Sequence, residues 1–189
     1  MDKTSGLTVC CAALTIFVIV SACVIPMPET STPSSFTVYK NTSEGVRFLY
    51  PSDWRVDKAA SSEYPATVRF RLWPRDGDLR VMFESGDTAA LRNSPATLQE
   101  WRDQHLETLS NVPGTDFKLV TSKPATLSGY PAWRIDYTRV EDNDTLMGEI
   151  ILMMNGTRYA TVSLVSMDDP YNIYSGSPQY FVSSIEITH

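Results

Sequence analysis

The stretch Leu146–Met154, "LMGEIILMM", is apolar on both faces apart from Glu149. A strand of that kind needs cover on each side, so it belongs at the centre of a sheet buried between two layers. It is followed by Asn155-Gly156, a strong two-residue hairpin signal, and then by "TRYATVSLV". These residues commit the chain to an antiparallel sheet with material packed on both sides, and the remaining segments must supply it.

Shorter strands agree. "FTVYK" and "VRFLY" flank the turn-forming "NTSEG" and predict a hairpin. "TVRFRLW" (67–73) alternates Val68, Phe70 and Leu72 against Arg69 and Arg71. "LRVMFE" (79–84) sends Leu79, Val81 and Phe83 inward, and "RDGD" between the two runs reads as a turn. "WRIDYTR" (133–139) repeats the pattern with Trp133, Ile135 and Tyr137. Thr97-Leu98-Gln99-Glu100 is a capping box that opens a helix to about Ser110, with Leu98, Trp101, His105 and Leu109 along one stripe. A second helical stretch is expected near Asp169–Tyr174, and a third from Ser177-Pro178 through Phe181 and Ile185. The expected fold is α+β: an antiparallel β-sheet with helices on both faces.

The N-terminal part has a different character. From Leu7 to Ile25 no residue is charged, a run of 19 residues that just spans a bilayer core of ~30 Å. It reads either as a permanent anchor helix or as a leader cut before Cys23. Val20-Ser21-Ala22-Cys23 resembles the lipobox of prokaryotic lipoproteins. That resemblance implies a signal peptide over residues 1–22 and lipidation of Cys23, with two acyl chains holding the protein in the cell membrane. Both readings give one topology. Lys3 is the only cation before the run and none follows it until Lys40, which places everything after Ile25 on the extracytoplasmic face. Residues 23–35 follow as the lipidated cysteine and a disordered tether rich in Pro, Ser and Thr. Residues 36–189 form one globular domain, large enough to bury a core without a disulfide.

A second resemblance lies in "GVRFLYPSDWRV" (45–56), a strand ending in Tyr-Pro, a polar pair, then Trp and a short strand. It is similar to the opening of PsbP-like proteins, and the order of elements across residues 36–188, with "LSGYPAWRIDY" in the middle, is similar too. The resemblance implies an α/β/α sandwich that acts without catalysis, binding or assisting assembly of a membrane-associated protein. Fold alone transfers no function. Read from the residues themselves, Pro51 and Trp54 make a strand-end turn and plug one edge of the core.

The inventory of reactive side chains is short. Cys10, Cys11 and Cys23 all lie in the N-terminal run, which removes a Cys–His pair from the domain. The two histidines are His105, on the helical stripe, and the terminal His189, and no Gly-x-Ser-x-Gly elbow or phosphate loop is present. No cofactor is expected. Glu141, Asp142 and Asp144 in "EDND" are the metal-ligand candidates, with Asp168-Asp169 a second acidic pair. Turn geometry accounts for such a hairpin tip first. The net charge of −6 excludes attraction to nucleic acid.

Three functions stay open: a tethered, non-catalytic domain for a membrane-associated protein partner; a module for an apolar or carbohydrate ligand; and a carboxylate-dependent hydrolase. Trp73, out of phase with its strand's buried face, is the ligand-contact candidate for the second. Asn41, Asn143 and Asn155 each begin an Asn-x-Ser/Thr acceptor pattern.

Overall fold

The computed structural model describes residues 35–57, 68–73, 79–167 and 176–188. The leader with Cys23, the tether, the "RDGD" turn, the helix expected near Asp169–Tyr174, the pair Asp168-Asp169 and His189 lie outside the described residues.

The first hairpin forms as the sequence predicts. Strands β1 (Phe36–Asn41) and β2 (Val46–Pro51) pair antiparallel around Gly45, whose φ is +63°. The chain then turns, with the Trp54 N–H donating to the Pro51 carbonyl at 3.1 Å, and enters β3 (Arg55–Asp57). Trp54 is buried in the core, so this segment makes the turn and plug read from the sequence. Strands β4 (Val68–Trp73) and β5 (Arg80–Asp87) pair next, with Phe70 opposite Phe83. Trp73 sits at the register position opposite Arg55, and its side chain is outside the described set.

Helix α1 (Leu98–Ser110) begins where the capping box sets it. Thr97 Oγ1 accepts from the Glu100 N–H at 3.1 Å, and Glu100 Oε2 accepts from the Ala96 N–H at 2.8 Å, one residue earlier than the usual reciprocal bond. Three long strands follow: β6 (Asp116–Leu127), β7 (Tyr130–Glu141) and β8 (Asp144–Asn155). Strand β9 (Arg158–Ser166) pairs with β8 so that Asn155 faces Arg158. The two-residue loop is therefore Gly156-Thr157, one position later than Asn155-Gly156, with glycine first at φ +57°. Helix α2 (Ser177–Ser183) stops short of the expected Ile185. Ser184 Oγ donates to the Phe181 carbonyl and accepts from the Leu49 N–H, turning the chain into β10 (Glu186–Ile187).

The expected single sheet is two. Seven strands run in the order β3-β4-β5-β9-β8-β7-β6, every pair antiparallel, and a separate sheet has the order β1-β2-β10. Strand β8 is interior, as its two-sided apolar pattern requires. Ile150 and Leu152 point to one cluster, with Trp101 of α1, Ile135, Tyr137 and Tyr159. Ile151 and Met153 point to the other, with Val81, Phe83, Val162 and Leu164. Val46, Phe48, Phe181 and Ile187 cover that second cluster, so the small sheet packs over the large one. The architecture is α+β, two antiparallel sheets with two helices among the described residues. Among those residues no helix is long and apolar enough to cross a membrane.

Candidate functional site

Two grooves flank the large sheet. The first, about 660 Å³, runs between α1 and the strands beneath it. Alternation puts Met82 and Glu84 of β5 on the face opposite Val81 and Phe83, and the β5–β9 register brings Glu84 opposite Thr161. Tyr159 enters from β9 on the same face, and its hydroxyl donates to Glu84 Oε1 at 2.6 Å.

The wall is α1. Trp101 is buried edge-on to Tyr159, with ring centroids 5.5 Å apart, and His105, one turn later, stands edge-on to Trp101 at 5.7 Å. Burial lowers the His105 pKa below its ordinary value, and the Glu84 carboxylate opposes part of that shift. With an ordinary value of ~6.5 moved downward, the imidazole is neutral at pH 7. The rim carries side-chain amides: Asn93 from the loop before the helix, Gln104 from α1, and Asn111 at its C-cap. Asn93 and the adjacent Ser94 both have positive φ, at 62° and 39°, so the loop before α1 holds two non-glycine residues at positive φ. The arrangement suits recognition, because the amides both donate and accept.

The second groove, about 590 Å³, lies between α2 and the β6–β8 end of the large sheet. Arg134 of β7 donates from Nε to Asp136 Oδ1 at 2.8 Å and reaches Glu149 Oε2 at 3.0 Å. Thr121 of β6 donates to Asp136 Oδ2 at 2.6 Å. Register places Asp136 directly opposite Glu149, so two acids do stand side by side as a hydrolase would require. One guanidinium engages both acids.

The remaining candidates are scattered. Glu141, Asp142 and Asp144 surround the β7–β8 turn, where Asp142 and Asn143 have φ of 52° and 72° and Glu141 accepts from Arg139 at 3.0 Å. Two successive positive φ values are the demand of a tight hairpin turn, which Asp and Asn tolerate. Among the described residues no three His, Cys, Asp or Glu side chains gather to hold a metal. His105 lies on the stripe where the sequence put it. Glu84 and Tyr159 were missed as site residues, because only the β5–β9 pairing brings them together. Glu84 falls in the outward phase of its strand, where a polar residue is expected, so its own segment carries no signal of the site.

Comparison with known proteins bears on the whole domain. A family described as PsbP-like protein matches residues 27–185. The chain is similar to the solution structure of cyanobacterial PsbP (CyanoP) from Synechocystis sp. PCC 6803, with a TM-score of 0.61 at 14% identity, covering 90% of this chain and 99% of that one. It is also similar to the crystal structure of LpqN, involved in cell envelope biogenesis of Mycobacterium tuberculosis, with a TM-score of 0.51 at 16% identity, covering 82% and 91% of the two chains. No curated protein sequence matches the chain. At these identities the likeness establishes the fold alone.

Proposed function

This chain belongs to the PsbP-like family, and from that premise we propose that it is a non-catalytic binding domain, tethered to the cell membrane through lipidated Cys23 and facing the extracytoplasmic side. Its partner is a membrane-associated protein, and the α1 groove takes an exposed segment of it. The observation that carries this reading is the groove's lining, where the amides of Asn93, Gln104 and Asn111 stand among Arg92, Glu107 and the buried aromatics. Side-chain amides match the alternating donors and acceptors of a polypeptide backbone. Two core clusters, one holding Trp101 of α1 and the other Phe181 of α2, support reading the fold as the α/β/α sandwich. LpqN's involvement in cell envelope biogenesis is in keeping with a role outside the cytoplasm.

Affinity capture of the full chain from solubilised membranes tests the proposal. The native chain should return one stoichiometric partner, and Gln104→Lys with Asn111→Lys should reduce recovery on the order of tenfold, a loss typical of interface hot spots. Equal recovery with both chains removes the groove from the account. A second reading, a small ligand in the same groove, is favoured by the Glu84–Tyr159 hydrogen bond and the neutral His105 at its base. A ligand from a thermal-shift screen that raises the unfolding midpoint in the native chain and not in Gln104→Lys would select it.

A further inference from the structure

The outer face of the small sheet carries an apolar strip that the other described residues leave exposed. Alternation along β1 turns Tyr39 into the core and Phe36, Val38 and Lys40 outward. Along β2, Val46 and Phe48 are buried, and the register sets outward-facing Leu49 opposite Val38. Tyr180 of α2 stacks on Phe36 with ring centroids 5.1 Å apart. Val38 is 52% exposed and Tyr180 59% exposed, high values for large apolar side chains. Farther along the same face the strip gives way to Lys40 and to Arg47, which is ion-paired with Glu186.

The position of the strip says what covers it. The Ser35 carbonyl is fixed by the Ser52 N–H at 3.0 Å just before Phe36, so the chain enters the domain at the strip's aromatic end. Nine residues separate the uncharged run Leu7–Ile25 from Ser35, and eleven separate Cys23 from it. Fully extended, the connection to Ser35 reaches ~35 Å from Ile25 and ~40 Å from Cys23, comparable to the thickness of one bilayer. Whether the anchor is acylated Cys23 or the run itself, the strip is held close to the bilayer surface. Tyrosine beside aliphatic side chains, with cations next to them, is the composition that settles at the headgroup level. The acidic domain as a whole is not drawn to anionic lipid, so the contact is apolar and suits uncharged headgroups.

We propose that the outer face of β1–β2 with Tyr180 rests on the membrane's headgroup layer, fixing the orientation of the tethered domain. This rests on the membrane tether assigned above. The test uses the full chain reconstituted in phosphatidylcholine vesicles, with the photoreactive residue p-benzoylphenylalanine placed at Val38, at Tyr180, or at exposed Asn143 on the β7–β8 turn as a control. Lipid adducts at positions 38 and 180 should exceed those at 143 on the order of tenfold, given how sharply interfacial residues partition. If the chain floats with the vesicles but labels lipid equally at all three positions, the orientation is wrong and the tether stands. A chain that fails to float overturns both. In native membranes, a protein adduct that replaces the lipid adduct at Val38 and Tyr180 assigns the strip to a protein and overturns the lipid contact.

Discussion

Gly148 shows how closely single side chains are fitted in this sheet. It lies in interior strand β8 directly opposite Tyr137, and a Cβ added there would run into the Tyr137 ring. The ring fills the space a side chain would take, a device by which an aromatic covers a glycine in a sheet. Tyr137 is itself buried against Phe117, with ring centroids 5.6 Å apart, and burial raises its pKa. It has nowhere to retreat. Gly148→Ala should therefore destabilise the domain by about 1–3 kcal/mol through overpacking, read as a fall in the urea midpoint without change in slope. An unchanged midpoint would mean that the ring moves freely.

At the scale of elements, α1 is the piece most plainly written in the sequence. Its capping box, its stripe and its end at Ser110 all follow from local rules, because a helix satisfies its own backbone. Strand β8 was legible for the opposite reason: only an interior strand can be apolar on both faces. Strand β6 was not read at all. It forms an edge of the seven-stranded sheet, is mostly exposed, contains Pro124, and shifts register between Leu119 and Thr121. Lysines, a proline and a bulge are what an edge strand uses to discourage further pairing, and they erase the alternation by which strands are recognised. The end of α2 was overrun because what stops it is tertiary, the bond between Ser184 and β2. The groove was half legible: the Trp101–His105 wall is a helical stripe, whereas Glu84 and Tyr159 meet only through pairing of strands far apart in the chain.

The docking of α1 carries its own pH dependence. His105 is held against Trp101 with its pKa lowered by burial, so the unfolded chain takes up a proton more readily than the folded one. Stability is then complete above the ordinary histidine value of ~6.5 and declines as pH falls from there through the lower folded value. Glu84 moderates the decline without reversing it. His105→Gln should flatten this part of the profile. Urea midpoints compared between about pH 5 and pH 7.5 check it, and an equal slope in both chains would show that other groups carry the acid sensitivity.

For the whole molecule, membership of the PsbP-like family and the likeness to CyanoP at 14% identity show how little sequence the architecture needs. An interior strand, a capped helix and a Tyr-Pro turn that buries Trp54 recover most of it. In the proposed arrangement the large sheet divides two tasks. The α1 groove lies on one side of it, and the small sheet with its apolar outer strip lies on the other, so the domain can rest on lipid and hold a partner at once. Both tasks presume that the body of the chain stands outside the cytoplasm, a topology resting on the uncharged run and the lone Lys3 before it. Alkaline phosphatase fused after His189 tests that premise most directly, because the enzyme becomes active only where its disulfides can form. The account predicts an active phosphatase, and an inactive one, with a cytoplasm-dependent reporter active at the same position, would contradict it.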